Sequence, residues 1–288
     1  MALNTDMKRD FTFTELKEFL KELMKAHYEI ITFKNFILKE HKMEKIIILR
    51  HDVDKKPMNS IKTAELENEI GISGTYYFRI RQGKFQKEII RKILAMDHEI
   101  GYHYEDLDVA DGDVNKALDL FKKNLFRLRR IVPVCTIAMH GSPLSRWDNR
   151  KLWEKYDYRD FGIIGEPYFD INFDEVLYLT DTGRRWDGGR FNVRDKAQGK
   201  GQEARGKIEL KHPNTQNFTL KTEHSFHSTF DIIRAAEEGR LPDKMMINIH
   251  PQRWNDKFSP WLWELVNQNA KNAIKKLFVM RNERRKKR

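Results

Sequence analysis

The sequence predicts an α/β fold whose strands run parallel, in a sheet or a barrel, with reactive groups gathered at the strand C-terminal ends. Three observations carry this reading. Short apolar runs alternate with amphipathic helical segments in the order β-α-β-α-β-α-β from Ile46 to His140. The links between them are short, as right-handed crossovers between parallel strands require. Each run also stops on a polar, titratable group. Ile46 to Leu49 leads into Arg50, His51, Asp52, Val53 and Asp54; the later runs end at His103, His140, Asp181 and His250. Parallel strands that are buried along their length bring such ends to one mouth.

The elements follow in order. Thr12 with Glu15 reads as a capping box, and Leu16, Phe19, Leu20 and Leu23 continue at helical spacing to about His27. Tyr28 to Phe36 reads as a connection, with a helical turn over Lys34 to Glu40. After the Ile46 to Leu49 strand, Pro57 opens a helix that Gly71 closes. Thr75 to Phe78 is a strand by its β-branched and aromatic content. Phe85 to Met96 is a helix, Glu99 to His103 a strand, Val114 to Arg130 an amphipathic helix, and Val134 to Met139 a strand. The spacing then predicts a short helix at Arg150 to Lys155 and strands at Phe161 to Ile164 and Leu177 to Thr180. A helix capped by Ser228 or Thr229 follows, then the Met245 to Ile249 strand and a last helix from Pro260 to about Met280. The polar stretch Arg194 to Arg205 reads as a long surface loop.

Length and composition bound the rest. A chain of 288 residues with 40% hydrophobic residues can bury one large α/β core. The expected organisation is a single domain over 1–280, with its core at about 44–255, and a basic, disordered tail over 281–288. The net charge is +11, of which the tail's six basic residues and Glu283 contribute +5. Such a body favours anionic partners. The final charges have no interleaved aromatics on which bases would stack, so nucleic acid is not an expected partner. The single cysteine, Cys135, excludes an intrachain disulfide. The N-terminus has no apolar targeting core and no apolar run spans a bilayer, so a cytoplasmic protein without a transmembrane segment is expected.

The strand ends imply metal chemistry. Asp52 and Asp54 stand two apart, and two close carboxylates repel unless a divalent cation relieves them. One would ligate while the other acts as base; the bland alternative is a pair of turn or cap residues. His103 is the natural nitrogen ligand, with Glu105 and Asp106 as nearby oxygen donors. His140 comes from the next strand end and also reaches toward the metal. His250 is the candidate general acid. His212, His224 and His227 lie in polar sequence and read as surface residues.

These residues carry a resemblance. His51-Asp52-Val53-Asp54 resembles the first motif of the polysaccharide deacetylases, metal-dependent sugar N-deacetylases, in the variant where one residue separates the two acids. His98-Glu99-Ile100-Gly101-Tyr102-His103 resembles the lead-in to their second motif, and Met246 to His250 the last. The resemblance implies a distorted (β/α) barrel of about seven parallel strands. It implies Asp52 as general base, Asp54 and His103 as metal ligands, and His250 as the acid that protonates the leaving amine, with Asp181 orienting it. The metal implied is a divalent ion, zinc by its mixed His and Asp donors. Trp186, Arg185 and Glu105 fall on the substrate side, Trp186 as a stacking platform for a sugar. Two departures stand out. The second ligand histidine of the family falls at Leu107, so the third ligand is His140 or, alternatively, Glu105. The arginine that partners the base is missing from the comparable segment His140-Gly141-Ser142-Pro143, and Arg184 or Arg185 is expected to replace it. A backbone N–H near Gly141 and Ser142 is the expected oxyanion donor. The substrate so implied is an N-acetylated carbohydrate, with a phosphate-linked precursor of a surface polysaccharide suggested by compartment and charge. The alternatives are a non-sugar amide, a phosphoester, or a non-catalytic glycan-binding barrel.

Overall fold

The computed structural model describes residues 8–80, 86–141, 145–186 and 226–286. Its frame is one parallel sheet of β1 (Glu29–Ile31), β2 (Ile46–Val53), β3 (Thr75–Phe78), β4 (Glu99–Tyr104), β5 (Ile137–Met139), β6 (Leu177–Thr180) and β7 (Lys244–Ile249). Six strands lie in the order β5-β4-β3-β2-β7-β6. The three-residue β1 pairs with the first half of β2, and β3 pairs with its second half, Arg50 to Val53. Every pairing is parallel. The sheet curls into a half-barrel compatible with the expected distorted barrel. Among the described residues no ladder joins the edge strands β5 and β6.

The helices are α1 (Phe13–Lys25), α2 (Phe33–Leu38), α3 (Pro57–Glu69), α4 (Lys87–Leu94), α5 (Asp106–Val109), α6 (Val114–Arg129), α7 (Leu152–Lys155), α8 (Pro167–Asp170), α9 (Thr229–Glu237) and α10 (Phe258–Lys286). Their starts follow local chemistry. The Thr12 hydroxyl accepts the Glu15 N–H at 3.1 Å, Pro57 fills the first position of α3, and Ser228 with Asp231 closes a capping box on α9.

β2 is buried along its whole length, and its two faces do different work. Successive side chains alternate across a strand. Ile47 and Leu49 pack outward with Leu16, Phe19, Ile232, Met245 and Ile247. Ile46 and Ile48 face a smaller inner cluster with Phe33, Tyr77, Ala138 and Met246. The same inner face turns polar at Arg50 and Asp52, both fully buried. The floor of the half-barrel is therefore apolar and its mouth is charged.

Three local expectations change. Phe161 to Ile164 is not a strand. Tyr158–Phe161 forms a 3-10 turn, and Gly162, left-handed at φ 68°, ends it before any ladder can run on. Only Gly165 makes a bridge, to Thr136. The segment read as a connection after Tyr28 holds β1 and the start of α2, because Thr32 caps that helix through the Asn35 N–H. The last helix continues beyond Met280 to Lys286, into the stretch expected to be disordered. The Arg194 to Arg205 loop, Ser142, Pro143, His212 and His224 lie outside the described residues.

Candidate metal centre

The site is built at the end of β2. Arg50 and Asp52 share the inner face, two residues apart. Asp54 lies just past the strand, where its N–H donates to the Asp52 carbonyl at 3.1 Å in a three-residue turn. Lys56, left-handed at φ 46°, and Pro57 then swing the chain into α3. The turn separates two carboxylates that a straight strand would leave side by side. Asp52 is sealed, while the Asp54 side chain stays 17% exposed.

Two histidines from neighbouring strands meet Asp54. The Asp54 Oδ1 stands 3.5 Å from His103 Nε2 and 3.4 Å from His140 Nε2. One donor atom from each of the three residues falls within 4.8 Å of the others. Donors about 2.0–2.1 Å from a tetrahedral zinc stand about 3.3 Å apart, because the edge of a tetrahedron is about 1.6 times its radius. The two measured edges match that figure. Asp54 Oδ1 and His103 Nε2 are also buried with no hydrogen-bond partner, which a structure rarely tolerates unless something else binds there. Among the described residues this is the cluster fit to hold an ion.

The outer groups fix the ring orientations. His103 Nδ1–H donates to the Ala138 carbonyl at 2.9 Å, which leaves the Nε2 lone pair facing Asp54. His140 turns its Nδ1 to Glu105 Oε2 at 3.3 Å. Glu105 is in turn clasped by the guanidinium of Arg79, whose Nε and Nη2 donate to its two carboxylate oxygens. Burial opposes the charge on Glu105, but His140 and Arg79 outweigh it and hold its carboxyl down to about 2. Burial likewise opposes the charge on Asp54, and the His103, His140 and His250 rings around it hold it well below the ordinary carboxylate range.

Two further pairs flank this trio. Arg50 forks onto Asp52 through Nε at 2.8 Å and Nη2 at 3.1 Å, and the Asn248 amide donates to Asp52 Oδ2 at 3.0 Å. That oxygen is 3.7 Å from His103 Nε2. On the other flank, His250 Nδ1 bonds Asp181 Oδ1 at 2.7 Å and its Nε2 reaches within 3.9 Å of Asp54 Oδ2. Asp181 is fully buried and takes further hydrogen bonds from the His250 N–H, Arg253 and the Trp254 indole. Burial raises the cost of its charge; Arg253 and His250 more than compensate and lower its pKa.

Asp52, Asp54, His103, His140, His250 and Asp181 thus come together at one mouth, with Glu105 behind His140. The other assignments change. Trp186 is 2% exposed and packs against Phe11, Phe19 and Trp254, with its indole N–H on Thr229. It is a core residue with no face open to a sugar. Arg185 is exposed. Arg184 lies over the rings of Phe11 and Trp261 and donates to the Trp261 carbonyl. The arginine that forks onto Asp52 is Arg50. Leu107, at the absent histidine position, is 2% exposed in the outer core. Asp106 turns to Tyr102 and Asn124, away from the trio. Arg50 and Asn248 were readable in principle, each sharing a strand face with a site residue two positions on, Asp52 and His250. Arg79 and Arg253 carry no such pattern.

Comparison with family models, with curated proteins and with solved structures returned no match. No helix among the described residues is long and apolar enough to cross a membrane.

Proposed function

We propose that the chain is a metal-dependent hydrolase that removes an acetyl group from an N-acetylated sugar. The observation that carries the reading is the meeting of Asp54, His103 and His140 between a buried Asp52–Arg50 pair and a His250–Asp181 pair. Asp54, His103 and His140 would hold a divalent ion, zinc by their donor types. Once bound, such an ion polarises an acyl carbonyl and makes water acidic enough to react near neutral pH.

The chain's own groups supply the proton transfers. Asp52 Oδ2, next to the ligand set, accepts a proton from water as general base. Arg50 and Asn248 hold that carboxylate in one orientation. Asp181 fixes the Nδ1–H tautomer of His250, so Nε2 is the atom that carries a proton to a departing amine. Base and acid approach the ligand set from different strands, β2 and the end of β7, as breaking an amide demands. The partly exposed side chains of Asp54 and His140 mark the side from which a substrate enters. The sugar, its place in a surface-polysaccharide precursor and its phosphate link rest on the sequence resemblance and the net charge of +11.

The test is acetate release from N-acetylated amino sugars by the metal-loaded protein. Asp52→Asn should abolish turnover by a factor of about 10² or more while the ion is retained. Activity unchanged in Asp52→Asn would overturn the assignment. Release of phosphate instead of acetate would move the reading to phosphoester hydrolysis.

A further inference from the structure

The start of α10 presents two opposed faces. One is docked: the Trp261 indole donates to the Asp10 carbonyl at 2.7 Å, Glu264 pairs with Lys56 at 3.6 Å, Gln268 is 5% exposed, and the Asn272 amide reaches the Gly183 carbonyl. The other is apolar and largely exposed, although the inner side of Phe258 stacks on Trp261 and meets Arg9. Phe258, Leu262, Trp263 and Val266 are 59, 39, 66 and 55% exposed. Their spacing places Phe258, Leu262 and Val266 in one row along the helix, with Trp263 beside it. Large apolar side chains grouped in this way on a surface mark something they touch.

The charge of the same segment says what. From Phe258 to Arg288 the sequence holds nine Lys or Arg against Glu264 and Glu283, a net +7. Eight of those nine lie beyond Ala273, past the exposed apolar turns. Two copies laid parallel would bring +7 against +7, and an antiparallel pair would leave both basic halves without a counter-charge, so self-pairing does not use the charge. Nucleic acid would use the charge and leave the apolar row in water. An anionic lipid surface uses both: aromatic and aliphatic side chains enter the headgroup region, and Lys and Arg meet the headgroup charge.

We propose that α10 docks this protein peripherally on membranes containing anionic lipid, with Phe258, Leu262, Trp263 and Val266 as the inserted row. Glu264, on the docked face, holds Lys56, two residues past Asp54, so α10 is anchored to the body of the protein near the candidate metal centre. The proposal does not depend on the hydrolase reading, since its test measures no turnover.

The experiment is co-sedimentation of the full chain with phosphatidylcholine vesicles, with and without phosphatidylserine, at low and high salt. The protein should pellet only with phosphatidylserine and be released as salt rises. Trp263→Ser should weaken partitioning roughly tenfold or more. Lys275→Gln and Lys276→Gln should each weaken it about fivefold. Circular dichroism confirms that each variant folds. Failure to pellet with phosphatidylserine, or a Trp263→Ser variant that pellets like the parent, overturns the proposal. So does a concentration-dependent dimer that Trp263→Ser abolishes, since a second copy would then own the surface.

Discussion

Replacing Arg50 with methionine is expected to cost about 3 kcal/mol of folding stability, and the figure follows from the pair it breaks. Both side chains are fully buried, and the fork closes at 2.8 and 3.1 Å. Opposite charges with centres about 4 Å apart attract by about 4 kcal/mol at an effective dielectric of about 20. Without the guanidinium, the buried Asp52 carboxylate keeps the Asn248 amide at 3.0 Å. That bond is present with or without the arginine, so the loss is that of stranding one partner of a buried pair, at the lower end of about 3–5 kcal/mol. Burial and Asp52 pull the Arg50 guanidinium in opposite directions, and Asp52 with its tyrosine neighbours prevails, so the arginine stays charged. Adding Asp52→Asn removes the stranded charge. The double variant should therefore recover about 2 kcal/mol relative to Arg50→Met alone. The assay is urea unfolding followed by circular dichroism at neutral pH, with chelator in every sample so that ion binding adds nothing. A loss below about 1 kcal/mol, the size of a surface pair, would refute that value. A double variant no more stable than the single one would refute it as well.

Other outcomes follow from the same geometry. Glu105→Gln removes the charge that faces His140 Nδ1, and metal affinity should fall about 10- to 100-fold in a chelator competition, with the fold intact. An unchanged affinity would mean that His140 is oriented by other groups. Burial pushes the Asp106 carboxyl up to about 7 against hydrogen bonds from Tyr102 and Asn124. A folded value raised above 3.8 means the folded state binds the extra proton, so this group's contribution is full at acid pH and is lost as pH rises toward 7. Its share of the slope is at most about 1.4 kcal/mol per pH unit. Asp106→Asn should flatten the decline in urea midpoint over that window, and Glu166, also raised to about 7 by burial, leaves a remainder of the same sign. Trp186→Ala should destabilise by about 3–5 kcal/mol without changing metal affinity. Stability kept while carbohydrate binding is lost would restore Trp186 to a substrate pocket.

How far the sequence revealed the fold depended on how local each cause was. β2 was legible because Ile46 to Leu49 forms a buried run with its reactive end attached, and the same held for β4, β6 and β7. β1 was not, since three residues, Glu29–Ile31, leave no pattern to read. The expected strand at Phe161 to Ile164 fails for a local reason, the left-handed Gly162, that β-propensity alone does not register. In the site, Asp54, His103, His140 and His250 came from strand ends, a periodicity argument. The fate of Trp186 depended on contacts with Phe11, Phe19 and Trp254, far apart in the chain, so its position beside Asp181 suggested a pocket that packing fills. Strand alternation sets Arg50 on the Asp52 face, but the apolar run that marks β2 ends at Leu49, whereas the strand itself continues to Val53.

The most direct measurement is the metal content of the purified chain beside Asp54→Asn, His103→Ala, His140→Ala and Glu105→Ala. One divalent ion per chain is expected, lost in the first three variants and held more weakly in the fourth. No ion after reconstitution, or full occupancy in His140→Ala, would contradict that expectation.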